Sequence, residues 1–222
     1  MMGKIIVIEG LDGSGKSTQL ELLKQKLSEQ NTPFKYIKFP DYENPSSTLV
    51  RMYLAGDFGD KPSDVNAYAA SSFYAVDRYA NYKTNFKEFY DNGGVILCDR
   101  YTTSNAVHQA SKLSSDEIDD YLDWLYDFEF NKLKIPAPDV VIYLDMPIEI
   151  SQKLMTGRYS GDEGKKDIHE KDVDYLHHCR TAAVYAAKKL GWNVISCAQG
   201  DAPRSRESIS QEIYQIVKKE VL

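Results

Sequence analysis

Ile5-Ile6-Val7-Ile8-Glu9-Gly10-Leu11-Asp12-Gly13-Ser14-Gly15-Lys16-Ser17-Thr18 runs from an apolar strand through a glycine-rich turn into a helix. From Gly10 to Ser17 it satisfies G-x-x-x-x-G-K-[ST], the P-loop pattern, in the strand–turn–helix setting that gives the pattern its meaning. Leu20, Leu23 and Leu27 recur at helical spacing on the far side. The glycines let backbone N–H groups converge on phosphate oxygens, and the helix N-terminus turns its partial positive charge toward them. Lys16 reaches the outer phosphates and the Ser17 hydroxyl is suited to Mg2+. Gly10, Leu11, Asp12, Gly13, Ser14, Gly15, Lys16, Ser17 and Thr18 are therefore the candidate ATP-binding residues. A glycine turn that only joins strand to helix is the plain alternative.

Working outward, strand and helix signals alternate along the chain. Phe34–Phe39 reads as a strand stopped by Pro40, Val95–Cys98 as an apolar strand ending at Asp99, and Val140–Leu144 as another. Asn193–Cys197 is a last short strand. Helices are predicted from Pro62-Ser63 onward, at about 103–112 and 115–132, from about 169 to 190, and over 205–221. In the helix after Pro62, the face Val65, Tyr68, Ala69, Ser72, Phe73, Val76 and Ala80 is amphipathic in pattern. In the 115–132 helix, acids line one side and Tyr121, Leu122, Leu125 and Phe128 the other. Residues 157–166 are glycine-rich and charged and read as a mobile loop. Continuous apolar strands between helices specify an α/β fold, a parallel sheet covered on both faces. Ligands of such sheets bind beyond the carboxyl ends of the strands. That rule puts the P-loop, Pro40-Asp41-Tyr42 and Asp99-Arg100 on one edge.

The chain is long enough for one domain over residues 1–222 with a lid insertion at about 156–168. Its net charge of −6 argues against a general nucleic-acid or membrane binder, because such partners want a basic face. Cys98, Cys179 and Cys197 are odd in number and widely spaced, with no C-x-x-C pair. They read as reduced core thiols of a cytoplasmic protein. The short apolar run before the P-loop is too short for a signal peptide, and no segment approaches a membrane span.

Four segments in order resemble the thymidylate kinases: Ile8–Gln19, Phe39-Pro40, Ala75-Val76-Asp77-Arg78, and Asp99-Arg100-Tyr101 with Ser104-Asn105 and Gln109 behind it. The resemblance implies a three-layer P-loop NTPase fold with a five-stranded parallel sheet of order 2-3-1-4-5, a mobile lid, and a homodimer. It implies ATP as phosphoryl donor, Mg2+ as cofactor and dTMP as acceptor. Tyr74 and Arg78, four apart on a helix, would stack on the base and donate to its carbonyl. Relatives usually carry Phe at the position of Tyr74. Asn105, His108 and Gln109 share a helix face and would read the base edge and crowd the sugar; relatives commonly have Tyr where this chain has His108. Asp12 would face the sugar 3′-hydroxyl, and Tyr42 and Arg51 would lie against the substrate. Asp99 would hold Mg2+ with Ser17, and Arg100 would grip the acceptor phosphate. Other readings stay open for these residues. Tyr74 could be ordinary helix packing, Arg78 a surface salt bridge, Arg51 a solvated helix residue and His108 a half-buried helix histidine.

The acceptor is itself a phosphate, so no general base is needed, and catalysis is positioning plus charge neutralisation. Lys16, Asp99 and Arg100 are candidate catalytic residues. Some relatives carry an arginine just after the P-loop acid; here that slot is Gly13. The resemblance is therefore to the class whose cation comes from the lid, with Arg158, Lys165 and Lys166 available and Arg158 the candidate. Two alternatives remain at this point. A deoxynucleoside kinase would need Asp41 as base. A P-loop regulatory ATPase would need no second nucleotide site.

Overall fold

The computed structural model describes residues 2–59, 61–158 and 173–222, apart from the side chains of 156–158 and 173. Five strands, β1 (Lys4–Gly10), β2 (Phe34–Lys38), β3 (Val95–Asp99), β4 (Val140–Asp145) and β5 (Asn193–Ser196), form one parallel sheet in the order β2-β3-β1-β4-β5. Ile5, Ile6, Val7, Ile8, Ile96, Leu97, Ile142 and Leu144 are fully buried, as β-branched and apolar residues must be in a sheet covered by helices on both faces. The fold class and strand order expected above are those observed. No helix among the described residues is long and apolar enough to cross a membrane.

Two compact units make up the chain, Met1–Val7 with Phe34–Asp139 and Ile8–Pro33 with Val140–Leu222. In the first, β2 and β3 pair from Phe34↔Val95 to Lys38↔Asp99. The helices are α2 (Thr48–Ala55), α3 (Ala67–Asn81), α4 (Lys87–Asp91), α5 (Thr103–His108) and α6 (Ile118–Tyr126). The Asn66 side chain caps α3 by accepting from the Ala69 amide at 2.8 Å. The long helix expected after Pro62 is instead a 3-10 turn, α3, a π-turn over Tyr82–Phe86 and α4. The 115–132 helix likewise shortens to α6 followed by a π-turn at Asp127–Lys132, and the 103–112 helix to α5 with a 3-10 turn at Ala110–Lys112.

The face of α3 is the main departure from the sequence pattern. Its buried residues are Ala67, Ala70, Ser71, Ala75, Asp77, Arg78 and Asn81. Tyr68 and Val76, on the face that periodicity makes apolar, are 39% and 48% exposed, and Tyr79 is 40% exposed. Burying Asp, Arg and Asn is costly unless each finds a partner, and each does. Asp77 accepts from Ser46, Arg78 pairs with Glu129, and Asn81 donates to Asp41.

The second unit holds α1 (Lys16–Glu29), α7 (Ile148–Arg158), α8 (Val173–Leu190), the hairpin β6 (Ala198–Gln199) and β7 (Ala202–Pro203), and α9 (Arg206–Glu220). β4 and β5 pair from Ile142↔Asn193 to Asp145↔Ser196. Helix α1 buries Leu20, Leu23 and Leu27, and its Gln19 and Lys26 side chains donate to the Arg206 and Ser210 carbonyls of α9 at 3.1 and 3.2 Å. Gly157 and Arg158, expected in the loop, belong to α7. The rest of the expected lid, with Lys165 and Lys166, lies outside the described residues.

Candidate active site

The P-loop links β1 to α1 in the second unit. Gly13 has φ +77, and a Cβ there would lie 2.9 Å from the Ser151 carbonyl oxygen and 3.0 Å from Ser151 Cβ. Both the backbone conformation and the space demand glycine. Gly15, at φ +92, is the N-cap of α1 and supplies no side-chain cap. The first amides of α1 are thus left for an anion. Lys16 is buried, and its ammonium donates to the carbonyls of Gly10 at 2.7 Å and Leu11 at 3.1 Å. The Asp12 carboxylate stands 3.7 Å away. A cation is therefore held back across the loop, poised for a stronger anionic partner. The Ser14 hydroxyl is buried without a hydrogen-bond partner among the described residues, an orphan polar atom that a phosphate oxygen would satisfy. Ser17 is exposed on the first turn of α1.

At the carboxyl end of β4 in the same unit, Asp145 accepts from Arg180 of α8 through both oxygens, at 2.7 and 2.9 Å. The hydrogen bond and charge of Asp145 raise the Arg180 pKa further. The sequence reading did not single out this pair, since its partners lie on separate elements. Arg158 ends α7, and its side chain is outside the description.

In the first unit, Arg78 and Asn105, both expected at the acceptor, meet at a group the sequence reading missed. Arg78 is 1% exposed and Glu129 not exposed at all. Arg78 Nε donates to Glu129 Oε2 at 2.7 Å and Nη2 to Oε1 at 2.5 Å, a bidentate pair. Burial alone would lower the Arg78 pKa, but the charge and hydrogen bonds of Glu129 outweigh it and the pKa rises. Thr102 Oγ1 also donates to Glu129, at 2.8 Å, and Asn105 Nδ2 lies 3.5 Å from it. Arg78 is thus a buried ion-pair member rather than a surface salt bridge. A signal for Glu129 did exist: it falls four residues after Leu125, on the apolar face of Tyr121, Leu122 and Leu125.

One turn before Arg78, Tyr74 sets its ring edge-on to Tyr53, with centroids 6.5 Å apart. Burial, with smaller contributions from Tyr53 and Tyr42, pushes its hydroxyl well above the usual tyrosine range, so the ring stays neutral. Arg100 follows β3 with φ +67, a strained conformation for a residue that carries a Cβ. Its Nη1 lies 3.0 Å from His108 Nε2 and 3.5 Å from Ser104 Oγ. A guanidinium only donates, so His108 Nε2 accepts and the ring is neutral in this pairing. Asn105 and Gln109 are buried, and Gln109 Oε1 accepts no hydrogen bond among the described residues. Asp99, also buried, accepts from the Tyr36 hydroxyl at 3.3 Å.

The loop after β2 is fastened from below. Asp77 accepts from the Asp41 amide at 2.9 Å and from Ser46 Oγ at 2.6 Å, while Asn81 donates to the Asp41 carboxylate at 2.9 Å. Arg51 donates to the Tyr42 carbonyl at 2.8 Å and to the hydroxyls of Ser47 and Thr48 at 2.7 and 3.0 Å. Arg51 therefore clamps the loop that presents the exposed Tyr42. Burial raises the Asp77 carboxyl pKa, against the lowering effect of the Ser46 and Asp41 hydrogen bonds. The folded chain then holds that proton more tightly than the unfolded chain, so this group's share of stability falls as pH rises above about 4. In Asp77→Asn that falling component is expected to vanish, giving a less negative slope of unfolding free energy against pH in urea titrations. An unchanged slope would count against the raised pKa.

The family model for thymidylate kinase matches residues 8–213. A thymidylate kinase of Mycobacterium tuberculosis (strain ATCC 25618 / H37Rv) is 32% identical over 193 residues, covering 85% of this chain and 87% of its own. One from Dictyostelium discoideum is 29% identical over 221 residues, covering 98% of this chain and 86% of its own. The solved thymidylate kinase structure from Candida albicans aligns with a TM-score of 0.71 over 98% of this chain and 92% of that one, at 22% identity, and so shares the fold. With the P-loop, the strand order and the Arg78–Glu129–Asn105 cluster, these matches place the chain in the thymidylate kinase family, enzymes that transfer a phosphoryl group from ATP to dTMP to give dTDP.

Proposed function

We propose that the P-loop unit carries ATP and that dTMP lies against α3 and α5, with the two units working as one kinase domain. The observation that carries this reading is the buried Arg78–Glu129 pair with Asn105 beside it and Tyr74 one turn away. A nucleotide-dependent switch has no use for a second, pre-paired polar pocket of this kind. A deoxynucleoside kinase would need a free carboxylate base, and Asp41 is engaged by Asn81. Lys16 takes the outer ATP phosphates and Arg100 the acceptor phosphate. Tyr74 stacks on thymine, Arg78, Asn105 and Gln109 face its polar edge, and His108 lies toward the sugar. Asp12 takes the 3′-hydroxyl. Tyr42 covers the substrate, and Arg51 acts through its hold on the Tyr42 loop. The Ser17 hydroxyl and the Asp99 carboxylate are hard oxygen donors of the type Mg2+ takes, and the bound ion neutralises phosphate charge.

Incubation with ATP and Mg2+ and a panel of thymidine, dTMP, UMP and no acceptor tests the reading. Diphosphate from dTMP alone is expected; turnover of thymidine in place of dTMP would sink it. UMP turnover equal to that of dTMP would show that His108 does not exclude a 2′-hydroxyl.

The lid supplies the remaining cation. Gly13 supports this, because its conformation and the nearby Ser151 carbonyl leave no room for an arginine in the P-loop. Arg158→Ala is expected to lower kcat at least about tenfold, as removal of a charge at a transferring phosphoryl group does. A wild-type rate would refute the assignment. The exposed Val76 and Tyr79 on α3 support a homodimer formed by helix packing, which light scattering reads directly. Cys98, Cys179 and Cys197 are buried thiols, and burial pushes the Cys197 pKa up to about 12. Inert reduced thiols agree with a cytoplasmic location.

A further inference from the structure

We propose that a lysine-lined cleft in the first unit, apart from the nucleotide sites above, binds an oligophosphate chain, the group carried by nucleoside triphosphates and by inorganic polyphosphate.

The cleft has a volume of about 450 Å3, bordered by Tyr79, Tyr82, Lys83 and Lys87 on one side and Lys132 and Lys134 on the other. That is within the roughly 300–1,000 Å3 of small-molecule sites. The π-turns Tyr82–Phe86 and Asp127–Lys132 both contribute to it. Such turns are rare and cluster at functional sites, because they re-aim side chains without ending the helix direction. Lys134, two residues beyond the second turn, holds φ +59, a costly conformation for a residue with a Cβ. Strain of this kind persists where the surroundings fix it, as they do at ligand clamps.

The charge balance names the ligand class. Four ammoniums border the cleft, and two carboxylates meet them from outside it. Asp91 pairs with Lys87, and Asp127 with Lys132 at 3.2 Å. Lys83 and Lys134 form no ion pair among the described residues. Lys83 lies over the Tyr79 ring, 6.0 Å from its centroid, and Lys87 over Tyr82 at 5.9 Å. A cleft lined by one sign of charge concentrates counter-ions, and this one does so on a chain of net charge −6. Lysine ammoniums are point charges with rotatable donors, suited to a phosphate chain, whereas a planar carboxylate is matched best by the fork of arginine. An extended nucleic acid would need a basic face well beyond one cleft. A short phosphate chain needs only the cleft.

The position separates this cleft from the carboxyl end of β3, where Asp99 and Arg100 stand. Lys35, second in β2, donates to the Asn85 carbonyl of the first π-turn, and the Tyr90 carbonyl of α4 accepts from the Gly3 amide just ahead of β1. The segment from Tyr82 to Tyr90 therefore runs toward the amino ends of the strands. On α3, Arg78 is buried while Tyr79 is exposed. Tyr79 also borders the face proposed for the dimer, so the lysines carry the site.

Lysine acetylation read by mass spectrometry, beside isothermal titration, tests the site without turnover. Wild-type protein is titrated with inorganic tripolyphosphate, with ATP, and with sodium sulfate at matched ionic strength. Submillimolar tripolyphosphate is expected to protect Lys83, Lys87, Lys132 and Lys134, while the exposed Lys219 reacts as before. Lys83→Ala combined with Lys134→Ala should weaken this binding at least about tenfold, since two charge-assisted contacts are lost, and should leave dTMP turnover at the wild-type rate. Both side chains are exposed, so the variant should fold. Protection by ATP at lower concentration than by tripolyphosphate supports the site and makes its ligand a nucleoside triphosphate. Equal protection supports it and makes the ligand the phosphate chain itself. Equal protection by sulfate would reveal only a screened charged face and overturn the proposal, as would a double variant that binds tripolyphosphate like wild type.

Discussion

Lys16→Ala is expected to lower kcat by about 10²–10³-fold, the cost of removing one preorganised charge from a transition state whose charge grows on phosphoryl oxygens. The ammonium donates to the Gly10 and Leu11 carbonyls, so it is already within the loop and needs little reorganisation to meet an anion. The fold should tolerate the change. Lys16 gives up two hydrogen bonds to carbonyls, a net loss of about 1–3 kcal/mol in all, less than the loss at Arg78, and Ala suits the first turn of α1. Single-turnover transfer from labelled ATP to dTMP, with a thermal melt alongside, checks both parts. A cooperative melt with kcat within about tenfold of wild type would contradict the role given to Lys16.

Arg78→Ala carries the largest expected loss of stability. It leaves the Glu129 carboxylate buried without its counter-ion, and breaking such a pair from one side costs about 3–5 kcal/mol. Against a total of about 5–15 kcal/mol for a domain, that is enough to unfold part of the population at body temperature. Removing both charges is different. Arg78→Met combined with Glu129→Leu should regain most of the stability, since apolar residues of similar volume replace a desolvated pair. It should not regain dTMP turnover, because the donor to the base is gone. Urea unfolding of the single and double variants, with dTMP kinetics on the double, separates the two roles. A double variant no more stable than Arg78→Ala, or one with wild-type dTMP kinetics, would refute the account.

The parts of this protein legible in its sequence are those fixed by neighbours along the chain. The P-loop is one. Gly15 takes φ +92 at the N-cap of α1, and the eight-residue pattern from Gly10 to Ser17 fixes glycine at that position. The apolar strands are another, since a strand buried on both faces needs an unbroken run such as Ile5–Ile8. Helix ends were less legible. The π-turns after α3 and α6 and the 3-10 turn after α5 keep chain direction while changing residues per turn, so periodicity alone reads them as continuous helix.

The inward face of α3 was only partly legible. Ala69 and Phe73 of the predicted stripe pack on Tyr53, Val65 and Ala70, and the Tyr68 ring rests on Tyr121 and Trp124, yet Val76 is exposed and Asp77, Arg78 and Asn81 face in. Whether a charged residue is buried depends on a partner, and the partner of Arg78 is 51 residues away in the chain. Sequence by itself determined that this chain folds as a P-loop kinase and which residues stand at the ends of its strands, because those features are written in local backbone geometry and apolar pattern. Only the tertiary structure decided that Glu129 is the buried counter-ion of Arg78 and that Arg51 and Asp77 fasten the substrate loop. Compensating a buried charge is a property of what meets in space, and spacing along the chain does not encode it.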